Sequence, residues 1–211
     1  MNEFSVSMAL VDYIPVFLFG FGAAVLQRDL YNKMSKASFA LFAAGTINVF
    51  AAGFLKASWK LLYAAGICDF AALNAMFFPV QSIGFLLAGA GVMLMLIKKV
   101  DERSTVLLAA PPLFSGTFVF VGLMVAGLGF MDGGLCWLAS RLKKKSAIVC
   151  FAVSFVCSLC MGYLSSKDFA QAAMNWIAEI INVCGQGAFL GGVMLLDQAG
   201  LQEYRWRNKV C

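Results

Sequence analysis

Long apolar runs, interrupted at intervals by short clusters of Lys and Arg, set the pattern of this chain. A helix needs about 20 such residues to cross a bilayer. On that length the runs predict seven spans, at about 8–27, 37–55, 61–78, 80–97, 104–127, 147–164 and 170–198. The expected fold class is therefore all-α, a polytopic membrane helical bundle of about seven transmembrane helices in a single domain, residues 1–211. The first run is read as a retained span, because residues Met1 to Ser7 carry no Lys or Arg and no clear cleavage site follows.

The boundaries rest on a few residues. Lys56, Trp59 and Lys60 after the second run read as an interfacial anchor, since aromatic rings and snorkelling lysines favour the headgroup level. The apolar stretch 61–97 has no charged loop, and Pro79 is taken as its break. The alternative makes 60–74 an interfacial or re-entrant piece, with one full span reaching Lys98. Pro111 and Pro112 are expected to kink the fifth span, and 129–142 reads as a loop with a short amphipathic segment; splitting 104–142 would give eight spans. Basic clusters follow spans one (Arg28, Lys33, Lys36), five (Arg141, Lys143–Lys145) and seven (Arg205, Arg207, Lys209). The positive-inside rule then places the N-terminus outside and the C-terminus in the cytoplasm.

The last run differs from the others in carrying polar residues along one line. Asn175, Glu179, Asn182 and Gln186 fall within an arc of about 60° on a helix, with Asp197 on the same stripe near the far end. A carboxylate at mid-membrane costs about 2.5–3.5 kcal/mol on insertion scales, so Glu179 is expected to face protein or water. Asp69 and Asn74 in the third run are the next candidates, and Asn48 and Gln81 are placed to join the same interior. No counter-ion is evident within the spans, because Lys60 and Lys98 sit at span ends and Asp12 with Tyr13 lies near the outer interface. That leaves a cationic partner, a proton or water for Glu179. The structural alternative is a helix-gluing network in which Glu179 is protonated.

Composition narrows the chemistry. The chain is 62% hydrophobic and 13% charged, with a mean hydropathy of +0.84, which excludes a soluble domain. The formal charge of +5 resides in clusters between spans and sets orientation, so no nucleic-acid partner is expected. Histidine is absent, which removes histidine-ligated haem, histidine bases and histidine zinc sites together. Cys157 and Cys160 have redox-motif spacing but stand mid-helix with no second pair, and are read as packing residues. No metal, no cofactor and no enzymatic activity are expected.

The span count and orientation look like those of microbial opsins. Residues 170–198 contain no lysine for a retinal Schiff base, so the likeness is one of number only. Small-residue pairs at Gly187/Gly191, Gly20/Ala24, Gly84/Ala88 and Gly122/Ala126 are expected to let helices approach within one chain, with a homodimer seam as the alternative. A faint echo between 20–26 and 89–94 is compatible with an inverted repeat.

Together these features predict a transporter or channel in the inner or plasma membrane. Its partners would be the lipid bilayer and a small cationic or neutral polar solute, bound at Glu179, Asn175, Asn182, Gln186, Asp69 and Asn74, with Glu179 as the residue through which a proton would couple. The rival is a receptor or assembly subunit whose stripe is structural and whose basic tail, Arg205 to Lys209, docks a cytoplasmic partner.

Overall fold

Proline decides where the helices break at one end of the molecule. The computed structural model describes residues 5–97, 117–164 and 172–204. In it α1 (Val6–Val11) and α2 (Tyr13–Leu30) meet at Asp12. Pro15 has no N–H to offer the carbonyl four residues back, and Asp12 becomes both the C-cap of α1 and the N-cap of α2. The same event precedes Pro79, where α4 (Ala71–Ala75) stops at Met76 and α5 (Phe77–Ile97) continues. A proline in the first turn of a helix is tolerated, so Pro79 does not separate two crossings. Val6–Leu30 and Ala71–Ile97 are each one apolar unit long enough to span a membrane.

Glycine decides the next boundary. Helix α3 (Lys36–Ala64) starts at Ser35, whose hydroxyl accepts the Ser38 N–H, and ends where Gly66 takes φ +69°. The Ile67 N–H then reaches back 3.0 Å to the Leu62 carbonyl, closing the helix end in the Schellman manner. Two expectations are corrected by this. The second span does not stop at 55 but carries Lys56, Trp59 and Lys60 within the helix. The expected 61–78 span dissolves into the end of α3, an exposed turn at 65–70, the short α4 and the start of α5.

The remaining helices are α6 (Thr117–Arg141), α7 (Lys145–Leu164) and α8 (Ala172–Gln198). The loop expected at 129–142 is instead the second half of α6. Leu128, Met131, Leu135 and Leu138 recur at helical spacing and are buried, which gives that stretch a core face. Six helices among the described residues are long and apolar enough to cross a membrane, compatible with a multi-pass membrane protein. Much of the expected 104–127 span, with Pro111 and Pro112, lies outside the described residues, as do the 98–103 loop, the Lys167–Asp168 turn and the basic tail Arg205, Arg207 and Lys209.

Helix packing proceeds α2 to α3, α5, α6, α7, α8 and back to α2, closing a ring of six. Antiparallel neighbours meet at small residues. Gly45 of α3 lies so near Gly84 and Ala88 of α5 that a Cβ there would collide with backbone. Gly84/Ala88 thus acts within one chain, whereas Gly187 and Gly122 face no atom within 4 Å. Helices α5 and α6 are parallel, as Ser82 meets Phe120 and Gly134 meets Val92. So are α2 and α8, with Gly22 on Phe189 and Arg28 on Asp197. Helices α2 and α5 both run antiparallel to α3 and therefore share a direction, so the echo between them is not an inverted repeat.

The two halves of the ring are filled differently. Toward Arg28 the centre is dry core, with Leu26, Phe42, Val92, Leu135, Phe151 and Leu196 all fully buried. Toward Lys60 the centre is open.

Candidate functional site: a polar cavity inside the helix ring

The open half contains a cavity of about 310 Å³ to which all six long helices contribute side chains. Asp12, Val16 and Phe19 come from the α1–α2 break and α2; Phe50, Lys56 and Lys60 from α3; Phe78, Gln81 and Phe85 from α5. Met124 and Leu128 of α6, Ser158 and Met161 of α7, and Glu179, Asn182 and Gln186 of α8 complete the wall. The size is at the lower end of small-ligand pockets, which run about 300–1,000 Å³.

Charge is concentrated at one end of this space. Lys60 Nζ lies 2.5 Å from Asp12 Oδ2 and 3.3 Å from Glu179 Oε1, so one ammonium bridges two carboxylates from two other helices. The three side chains are 11%, 8% and 8% exposed, far from the solvent-screened condition in which ion pairs contribute little. Each acid keeps one oxygen, Asp12 Oδ1 and Glu179 Oε2, buried with no hydrogen-bond partner among the described residues. One turn along α3, the Lys56 ammonium sits 3.8 Å above the centre of the Phe77 ring and 5.5 Å from that of Phe78. Tyr13 Oη and Ser58 Oγ, 2.9 Å apart, tie α2 to α3 beside the bridge.

The local folding explains the bridge. Asp12 is turned inward by the interruption that Pro15 forces, and its backbone stands at a cap position. Lys60 reaches inward because α3 persists to Ala64. Glu179 is on the inner face of α8, whose outer face carries the exposed apolar residues Trp176, Ile177 and Ile180.

Of the residues singled out in the sequence, Glu179, Asn182 and Gln186 line the cavity, and Gln81 joins them. Asn175 is buried on the same helix one turn before Glu179 but is not part of the wall. Asn48 is half-buried elsewhere. Asp69 and Asn74 are exposed, outside the cavity, and Asp69 accepts a 2.9 Å hydrogen bond from the Trp59 indole. The wall is thus shared among six helices. The sequence reading missed Asp12, Lys56 and Lys60, which it placed at interfaces. It also missed Asp132 of α6, which is 2% exposed with neither carboxylate oxygen hydrogen-bonded among the described residues. A signal existed for the lysines, since Lys56 and Lys60 are four apart and share a helix face.

Comparison with known proteins adds one likeness. Over 88 residues the chain is 25% identical to ABC transporter G family member 23 of Dictyostelium discoideum. The match covers 42% of this chain and 12% of that protein. No described protein family and no solved structure matches the chain. The apolar multi-helix bundle and the partial similarity together suggest a role in membrane transport. Among the described residues no three of Cys, Asp and Glu converge in a way that would hold a metal ion.

Proposed function

We propose that the chain is a transporter for a small polar solute, held in the ring cavity with Glu179 as its principal charged contact. The observation that carries this reading is that polar side chains of α3, α5, α7 and α8, with Asp12 at the α1–α2 break, converge on one cavity. Helix glue alone needs polar contact between neighbours, not amides and acids disposed around a void. Asn182 and Gln186 would orient the solute, and Gln81 would contact it from the opposite wall. Transport is also the activity named for the protein that shares partial similarity.

Lys60 gives the site a means of release. A solute ammonium or a proton that reaches Glu179 competes with Lys60 for the same carboxylate, so binding and ion-pair opening are linked. Proton coupling through Glu179 belongs to this reading. The Lys60 end would face outward, as the basic clusters Arg28–Lys36 and Arg141–Lys145 stand at the other end. No bond is made or broken; the reading is non-enzymatic.

The test is uptake of labelled amines, amino acids and sugars into liposomes carrying the purified protein, for wild type and Glu179→Gln side by side. Uptake of one solute class by wild type, lost in a variant that elutes as the same folded species, is the expected result. Equal behaviour of the two proteins across every class would remove the transporter reading and favour a structural stripe.

A further inference from the structure

We propose that the solute is a small zwitterion of the amino-acid type, its ammonium held by Asp12 and Glu179 and its carboxylate by Lys56. This inference rests on the transporter reading and specifies its substrate class. The first ground is charge. Asp12, Glu179, Lys56 and Lys60 all line the cavity, and their formal charges sum to zero. A lone cation or a lone anion would leave that neutral set unbalanced in a low-dielectric space. A solute carrying both charges does not.

The second ground is where bonding capacity is left over. Lys60 is matched by two carboxylates, but Lys56 has no ion pair or hydrogen bond among the described residues, and its ammonium rests on aromatic rings alone. A ring face offsets only part of the cost of burying a charge. Lys56 therefore presents unused donors. On the other side, Asp12 Oδ1 and Glu179 Oε2 are buried and have no donor among the described residues, on residues 7% and 6% exposed. Unused acceptors and unused donors thus stand in one cavity. A cavity of about 310 Å³ carrying both signs of charge suits a small amino acid better than a diamine, which has one sign, or a sugar, which has none. Phe77 and Phe78, beside Lys56, give the cavity an apolar wall at that point.

The experiment is a matched ligand series on the intact protein in detergent, read as thermal stabilisation and as dissociation constant. The probes are a set of α-amino acids, the methyl esters of the same amino acids, which keep only the ammonium, and their N-acetyl derivatives, which keep only the carboxylate. At least one amino acid is expected to bind wild type about tenfold or more tightly than both of its derivatives. In Lys56→Gln its advantage over the ester should collapse toward one, while in Glu179→Gln its advantage over the N-acetyl derivative should collapse. Lys56→Arg, which keeps the charge, should retain the preference. Esters or N-acetyl derivatives binding wild type as tightly as their parents would overturn the zwitterion while leaving the cavity a solute site. Binding of nothing in any class would overturn the zwitterion as well, and the uptake of amines and sugars would then decide the transporter reading separately. The wild-type series decides the question even where a variant fails to fold.

Discussion

Two clusters of charge join α2 to α8, one at each end of the ring, and they are built from similar parts. At one end Lys60 of α3 bridges Asp12 and Glu179; at the other Arg28 contacts Asp29 and Asp197. The surroundings separate them. The Lys60 bridge is about nine-tenths buried and borders a cavity, with one oxygen on each acid that has no hydrogen-bond partner among the described residues. Arg28 is 52% exposed, and beneath it the ring is filled by Leu26, Leu30 and Leu196. A base between two acids is therefore a site at one end and a rim clasp at the other. Burial beside empty space makes the difference, not the residue types.

Removing Lys60 should separate the two ends most sharply. Lys60→Met leaves Asp12 and Glu179 facing each other in a buried place, and breaking a buried pair by deleting one partner costs about 3–5 kcal/mol. Thermal unfolding of the detergent-solubilised protein should show that loss. Combining Lys60→Met with Glu179→Gln should recover part of it, because one orphaned charge is then gone. If Lys60→Met unfolds at the wild-type temperature, the carboxylates are not charged in the native state and the bridge loses its meaning.

A smaller effect is expected from the Arg28 end. Lys33 lies between α2 and α3, and its buried ammonium donates to the carbonyls of Gln202 and Tyr204 at 3.0 and 2.7 Å, fastening the segment after α8. Lys33→Met should cost about 1–3 kcal/mol by leaving those carbonyls without their donor. The pH dependence has a definite sign. Burial pushes the Lys33 ammonium below its ordinary value of 10.5, with the Asp29 carboxylate opposing. The unfolded chain then holds that proton more tightly than the native one, so wild-type stability should gain on Lys33→Met as pH rises through the depressed value toward 10.5. Unfolding scans of both proteins in mildly and strongly alkaline buffer would measure it, and a difference that shrinks with pH would contradict the assignment.

How much of this was legible beforehand follows from the same contrast. The α8 stripe was visible because an acid and two amides at helical spacing stand out on an apolar background, and Glu179, Asn182 and Gln186 do face the cavity. Their counter-ion was not visible, because Lys60 is 119 positions away from Glu179 and proximity across that distance is a property of the ring. The helix end at Gly66 was hidden inside a continuous apolar run, where a left-handed glycine looks like any small residue. Misplacing that end put Asp69 inside the bundle and Lys60 at its surface. Asp132 went unread for a similar reason. Two glycines follow it and suggest a loop, yet Gly134 is there to admit Val92 of α5 against α6.

The least effect, and the cleanest discriminator, should come from the exposed arm of the Arg28 cluster. Asp197 is 29% exposed, and its ion pair among the described residues is with the half-exposed Arg28 guanidinium. Ion pairs in that setting are weakened by side-chain entropy and by salt. Asp197→Asn should therefore lower the unfolding temperature slightly in dilute buffer. The difference from wild type should vanish as salt rises from about 0.1 M to about 1 M, where the screening length falls from about 10 Å to about 3 Å. The loss caused by Lys60→Met should persist across the same range, because counter-ions do not enter a cavity edge whose charges are about nine-tenths buried. A salt-sensitive Lys60 effect would mean that the cavity is open to ions at rest, and the bridge would then be a vestibule rather than a closed binding site. A salt-insensitive Asp197 effect would mean that α2 and α8 are locked at the Arg28 end, leaving no easy path for a solute to leave on that side.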